Sequence, residues 1–333
     1  MDIQAPVDFV IVTPLDEERD AVLSKGEFKQ LDPTHDDVRV YHATELPVTF
    51  PSGKTATYRV ILVSLLGMGR VQAAIATSDA IDRWDPRYVL LVGIAGGLRE
   101  AGVGLGDVLI ADKVADYEEQ KLKENKPPEI RWQVHPTDPQ LLGAARNLKR
   151  DAWKDLIAVK RPEEGEPEWH VGPITTGDKV VADGSLADRY GDTWAKLIGV
   201  EMEAGGTASA AFQAAQKPGF FMVRGVSDLA DPDKNSPRVE GWRAYARDVA
   251  AAYAIGLLRS GPVPAGQRDS DEKSSSVPSP TASAQENQGA IDIWRMRLKH
   301  FREELARTTD PGKEFTIKLE IEEAERKIRE LGG

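Results

Sequence analysis

The feature that most restricts this chain is a set of short apolar runs with no polar face. Val7–Thr13, Tyr58–Leu66, Tyr88–Val92, Val108–Ala111, Val171–Thr175 and Phe220–Val226 read as strands, and several are apolar almost throughout. Such strands must be covered on both sides, so each needs a neighbour above and below the sheet. Helical patterns fall between them at Asp16–Lys25, Val71–Trp84, Glu203–Gln216 and Gly241–Leu258. Alternation of this kind predicts an α/β layer fold. The third helix is dense in Ala, Gly and Ser, which predicts very close packing on the sheet. The stretch Asp116–Glu168 is polar and contains proline; it reads as an excursion with at least one helix.

The alternation stops near residue 260. Gly261–Gly289 is rich in Ser, Pro, Gly and Gln, has almost nothing to bury, and reads as a flexible tether. Beyond it, Ile291, Trp294, Leu298, Phe301 and Leu305 recur at helical spacing, as do Ile317, Ile321, Ala324, Ile328 and Leu331. Thr309-Asp310-Pro311-Gly312 separates the two patterns with turn chemistry. The expected organisation is a domain over 1–260, a linker over 261–289 and a helical hairpin over 290–333. A unit this small, below about 70–80 residues, has little core of its own and should pack more firmly on a protein partner.

Charge narrows the function classes. The 333 residues carry 43 basic and 54 acidic side chains, a net charge of −11. The linker holds two basic and four acidic residues and the tail ten of each, so nine of the excess negative charges belong to residues 1–260. That balance argues against a nucleic-acid binder with a broad basic face. The absence of cysteine excludes disulfides, thiolate zinc sites and a cysteine nucleophile. The five histidines, His35, His42, His135, His170 and His300, show no ligand spacing, so neither a metal nor another cofactor is expected. The N-terminal apolar run is too short for a signal peptide, and no stretch nears the roughly 18 residues of a membrane span. A cytoplasmic location, without membrane contact, is the expectation.

The polar chemistry gathers at strand ends. Glycines follow strands at Gly67-Met68-Gly69, Gly93-Ile94-Ala95-Gly96-Gly97 and Gly102-Val103-Gly104-Leu105-Gly106, but none completes a phosphate or dinucleotide loop. Carboxylates sit at comparable places: Asp16, Glu17 and Glu18 after the first strand, Glu201 and Glu203 at the Ala/Gly-rich helix, and Asp228 after FFMVRGVS. Each could be a helix cap. Together, at the carboxyl ends of strands in an open sheet, they could instead bind a polar ligand or move protons.

Val92-Gly93-Ile94-Ala95-Gly96-Gly97-Leu98 with Gly106-Asp107-Val108, then Thr176-Gly177-Asp178, Val200-Glu201-Met202-Glu203 and Val223-Arg224-Gly225-Val226-Ser227-Asp228, resemble the ordered motifs of the nucleoside phosphorylase/nucleosidase superfamily. The resemblance spans residues 7–260 and is strongest to the methylthioadenosine/S-adenosylhomocysteine nucleosidase branch. It implies a three-layer sandwich with a central mixed sheet, and cleavage of a purine N-glycosidic bond. Residue by residue, it implies that Asp228 is the acid at purine N7, and that Glu203 holds ribose hydroxyls. It likewise implies that Glu18 positions the attacking water and that Met202 packs on the sugar. Ile94, Gly96, Val180, Val181, Glu201 and Ser227 complete the implied substrate-binding set, with Ser227 orienting Asp228. An unperturbed Asp has a pKa near about 3.9, so the acid role calls for burial or neighbouring carboxylates.

Two departures bear on substrate choice. The family often stacks an aromatic residue on the base after the Gly-Asp motif, whereas Lys179-Val180-Val181 stands here. Base recognition is then looser, or another residue supplies the stack. Arg70 and Lys179 lie near ligand-facing turns and read either as surface charges or as nucleotide phosphate contacts. The acidic first loop, Thr13 to Glu18, would repel phosphate and suits hydrolysis rather than phosphorolysis. In the tail, Ile293-Trp294-Arg295, Leu298, Thr309-Asp310-Pro311, Phe315, Lys318 and Ile321-Glu322 resemble a bacterial effector-associated adaptor module. A coiled-coil oligomerisation tail is the alternative. The expectation is a purine nucleosidase acting as a recruited effector in a bacterial defence or signalling system, homo-oligomeric through its catalytic domain. A nucleotide-sensing scaffold without turnover and a salvage phosphorylase are the competing expectations.

Overall fold

The computed structural model describes residues 6–35, 37–124, 126–179, 190, 193–194, 196–232 and 236–266, together with positions 295, 298, 299, 302, 305, 321 and 325. It divides into two units, residues 1–266 and 267–333.

In the first unit the strands are β1 (Phe9–Thr13), β2 (Lys29–Gln30), β3 (Tyr41–Thr49), β4 (Thr55–Ser64), β5 (Tyr88–Gly97), β6 (Val108–Asp116), β7 (Gln120–Lys123), β8 (Lys126–Ile130), β9 (Gln133–Pro136), β10 (Trp169–Thr176), β11 (Gly199–Glu201) and β12 (Gly219–Asp228). The helices are α1 (Asp16–Leu23), α2 (Arg70–Trp84), α3 (Pro139–Arg146), α4 (Asp151–Lys154), α5 (Ala204–Gln213) and α6 (Pro237–Arg259). All six expected strands and all four expected helices are present, with ends shifted by a few residues. The excursion holds the β7–β8 hairpin, β9, α3 and α4.

Among the described residues the sheet is mixed and runs β11-β10-β6-β12-β5-β1-β4-β3-β2, with β9 on β6. The wholly apolar runs lie in its middle: β1 is buried at every position and is paired in parallel on both sides, by β4 and β5. Alternate residues feed two cores. Phe9, Ile11, Val60, Leu62 and Val223 face α1, α3, α4 and α6, whereas Val10, Val12, Ile61, Val63 and Met222 face α2 and α5. This is the three-layer arrangement. Each fully buried aliphatic or aromatic side chain contributes on the order of 1.5–3 kcal/mol.

The sheet also curls on itself. β11 pairs in parallel with β10 and antiparallel with β5, closing a ring through β6 and β12. Val200 is thereby set opposite Gly96, which also pairs with Asp228 of β12. A register shift at the end of β12 marks a bulge at Ser227, a device that re-aims the side chain that follows.

The Ala/Gly-rich α5 packs very close to the sheet, as expected: a Cβ on Gly205 would fall 2.5 Å from Asp116 Oδ2 of β6 and 2.9 Å from Thr176 Cγ2 of β10. It comes as close to α2, where a Cβ on Gly206 would fall 1.9 Å from the Arg70 carbonyl oxygen. One expected boundary is corrected, because the chain stays packed past residue 260. Val263 is 2% exposed and its carbonyl accepts from the Tyr58 hydroxyl, while Gly266 N donates to Asp8 Oδ1 at 2.7 Å. Composition missed this because one apolar side chain and two backbone groups suffice to satisfy Tyr58 and Asp8.

In the second unit Arg295, Leu298, Lys299, Arg302, Leu305, Ile321 and Glu325 are helical. Leu298, Leu305 and Ile321 are half-buried, and Arg302 donates to Glu325 at 2.7 Å, bridging positions on either side of the Thr309–Gly312 turn signal. Among the described residues no helix is long and apolar enough to cross a membrane.

Candidate active site

Glu18 occupies the third position of α1, immediately beyond the carboxyl end of β1. Its Oε2 accepts from Leu15 N at 2.7 Å, as a helix-capping glutamate does, and its Oε1 accepts from Ile94 N at 2.8 Å. The side chain is buried. Burial pushes the carboxyl from the ordinary 4.5 up to about 7, against the pull of Arg224 and of the two backbone donors. A carboxylate poised there can accept a proton at neutral pH.

Arg224 is the residue the sequence reading left without a role. It is fully buried in β12, where its Nη2 donates to Glu201 and, at 3.1 Å, to Glu203 Oε2. Burial opposes its charge, but Glu201, Glu203 and Glu18 more than offset this and raise its pKa. Its Nη1 lies over Gly93 beside Glu18: a Cβ on Gly93 would come 2.5 Å from Nη1 and 2.6 Å from Glu18 Oε1. Only a glycine allows that meeting. The available signal was a lone charge inside an apolar strand, since an ion so placed must be paired.

Glu201 ends β11 and caps α5, accepting from the backbone N–H of Glu203 at 3.0 Å and of Ala204 at 2.9 Å. Glu203 reaches the other way, accepting from Gly69 N at 3.2 Å. Burial, reinforced by Glu201, raises its pKa, with Arg224 opposing. Asp228 is buried at the end of β12. Ser227 Oγ donates to its Oδ2 at 2.9 Å and Ala230 N to its Oδ1 at 3.0 Å. Gly96 leaves the space: a Cβ there would lie 3.2 Å from Asp228 Oδ1. Glu18, Glu201 and Glu203 thus accept from backbone donors at helix starts, as the capping reading expects.

These groups face one cavity of about 300 Å³. Its wall contains Glu18, Ile94, Gly96, Glu201, Met202, Glu203, Ser227 and Asp228, all singled out from sequence, and Lys179 at the edge, where it pairs with Glu118 at 2.5 Å. It also contains Pro14, Leu15, Met68, Ala95, Val200 and Arg243, which the sequence reading did not single out. Val180 and Val181 lie outside the described residues. Arg70 is not brought to the cavity. Its guanidinium is held by Asp116 at 2.5 Å and Asp178 at 3.3 Å, which keeps it charged and joins the start of α2 to the Gly-Asp turn. No aromatic ring lines the described wall. Tyr117, Trp132, Tyr190 and Trp194 instead cluster with Leu98, Val200 and Ala230. Among the described residues no group of three or more His, Asp or Glu side chains could hold a metal ion.

The geometry can be set beside known proteins. The phosphorylase superfamily profile matches residues 8–259. The 5'-methylthioadenosine/S-adenosylhomocysteine nucleosidase of Mycobacterium bovis is 27% identical over 228 residues, 65% of this chain and 86% of its own length. The enzyme of that name from Bacillus thuringiensis is 29% identical over 187 residues, covering 56% of this chain and 75% of its own. Among solved structures, the Neisseria meningitidis nucleosidase in complex with methylthio-immucillin-A superposes with a TM-score of 0.57 at 22% identity, covering 76% of this chain and 99% of that one. The futalosine hydrolase of Helicobacter pylori superposes at 0.56 and 17%, covering 75% and 98%. By its sequence motifs, its mixed sheet and the span of that match, this chain belongs to the phosphorylase superfamily.

Proposed function

We propose that the chain hydrolyses the N-glycosidic bond of a purine nucleoside or nucleotide and releases the free base. The observation that carries this reading is that Glu18, poised near neutrality within the field of the buried Arg224, shares one cavity wall with Glu203 and Asp228. As the C1′–N9 bond breaks, its electron pair passes to the purine, where Asp228 supplies a hydrogen bond or proton at N7. The sugar becomes an oxocarbenium ion; Glu203 holds its hydroxyls and Met202 packs on the ring. Water adds to C1′ and gives its proton to Glu18, leaving free base and a sugar with a C1 hydroxyl. Hydrolytic relatives support water as the acceptor. So does the acidic first loop, Asp16-Glu17-Glu18, whose charge would repel a phosphate nucleophile.

The wider setting is part of the same proposal. Residues 290–333 serve as a recruitment module that brings the enzyme to a protein partner in a cytoplasmic defence or signalling system. The separation of residues 267–333 as their own unit supports this role. Exposed Leu66, Met68, Val71 and Ile75 support homo-oligomerisation through the catalytic domain.

The test incubates full-length protein with a panel of purine nucleosides and nucleotides, with and without inorganic phosphate. Free base together with an unphosphorylated C1 product is expected, and Asp228→Asn should lower base release by at least about 100-fold with the thermal transition unchanged. Strict phosphate dependence, or normal turnover by the variant, would overturn the reading.

A further inference from the structure

We infer that Arg243 makes the cavity select a phosphate ester carried on the sugar, so that purine nucleoside 5′-phosphates are preferred over neutral nucleosides. This rests on the N-glycosidase reading and names its substrate class.

The charged groups of the cavity wall are nearly all committed to protein partners. Glu201 and Glu203 are bound to Arg224, Lys179 to Glu118, and Asp228 to Ser227 and the Ala230 N–H. Arg243 differs. It is half-buried and lines the cavity, yet no carboxylate or carbonyl among the described residues holds it. Its direction follows from the helix. Trp242 and Tyr245 pack over Gly106 on the β6 side, and Ala246 lies against Gly225 of β12. Successive residues turn by about 100°, so Arg243 points away from the Gly106 contact of Trp242 and Tyr245 and into the cavity whose wall it shares with Pro14 and Leu15. Asp228 lines the same cavity beside Gly96 and Val200.

A purine at Asp228 with its ribose over Met202 and Glu203 extends its sugar substituent toward Arg243. A neutral substituent would desolvate the guanidinium and return nothing. A phosphate ester would take two parallel N–H···O bonds from it, the geometry that favours arginine at such sites. One unpaired cation in a wall of carboxylates also lowers the local barrier to an anion that the domain's net negative charge would otherwise repel.

The experiment measures kcat/KM of the full-length protein for adenosine 5′-monophosphate and for adenosine, in wild type, Arg243→Gln and Arg243→Lys. The expected result is a wild-type preference for the monophosphate. The ratio of the two kcat/KM values should fall roughly 10- to 100-fold in Arg243→Gln, mostly through KM, and recover in part in Arg243→Lys. General damage to the fold would lower both values and leave the ratio intact. A ratio unchanged by Arg243→Gln overturns the inference. So does stimulation of adenosine cleavage by added inorganic phosphate that disappears in Arg243→Gln, since Arg243 would then hold a free co-substrate. Dissociation constants for the same two compounds, measured by calorimetry, test the selectivity even if neither releases adenine. Absence of release would count against the N-glycosidase reading alone, and equal affinities against the inference.

Discussion

Replacing Glu18 by Gln tests the electrostatics of the site directly. Unfolded Glu18 releases its proton near 4.5, whereas in the fold it does so at about 7. Between those values the native state binds more protons than the unfolded state, so this group makes stability fall as pH rises through the window. Carrying that shift through the linkage relation gives a loss of about 2.5 kcal/mol between pH 5 and pH 8.5. Gln cannot ionise, so the variant escapes this loss. It can still accept from one of Leu15 N and Ile94 N, and leaving the other unmet costs roughly 1–3 kcal/mol at every pH. That cost displaces the curve without tilting it. Urea denaturation of both proteins across this pH range should therefore give a stability difference that moves in favour of the variant by about 2.5 kcal/mol as pH rises. Wild-type kcat/KM should rise through pH 7 as Glu18 becomes a base, and Glu18→Gln should lose that limb with most of its turnover. Parallel stability profiles would refute the buried-base assignment, because every other titrating group is common to the two proteins.

Arg224→Met removes the charge shared by Glu201 and Glu203 and should cost on the order of 3–5 kcal/mol, read as a lowered urea midpoint. A variant as stable as wild type would show that the buried carboxylates are protonated rather than paired. Ending the chain after residue 260 should lower the melting temperature relative to ending it after residue 266. Val263 burial alone contributes roughly 1.5–3 kcal/mol, and the bonds to Tyr58 and Asp8 are lost with it. Equal melting temperatures for the two truncations would show that the fold is complete at residue 260.

Much of the layer order was legible because it rests on local pattern. The apolar runs at Val7–Thr13 and Phe220–Val226 have no solvent face, and that alone calls for helices on both sides. Tyr41–Thr49 was not read as a strand because its alternation carries a proline, Pro47, and a charged residue, Glu45, as an outer strand tolerates. β11 was missed because three residues carry too little pattern to distinguish a strand from a turn. At the site, Glu18, Glu203 and Asp228 were visible as carboxylates at strand or helix ends within recognisable motifs. Arg243 had no such signal, since it lies on a helix whose neighbours Trp242 and Tyr245 read as core. Arg70 was drawn in by its position beside a glycine turn, and only the paired Asp116 and Asp178 account for its charge.

The sequence by itself determined which segments must be buried and the order in which the motif residues occur along the chain. Both depend on solvation and backbone preferences that act over a few residues. Tertiary structure decided how those residues meet. Closure of the sheet through β11 brings Val200 to Gly96 and so to Asp228. Arg224 then spans two carboxylates that belong to another strand and another helix. The proton affinity of Glu18 was settled at the same level, because it depends on the removal of water by segments distant in sequence, and no local spacing encodes that.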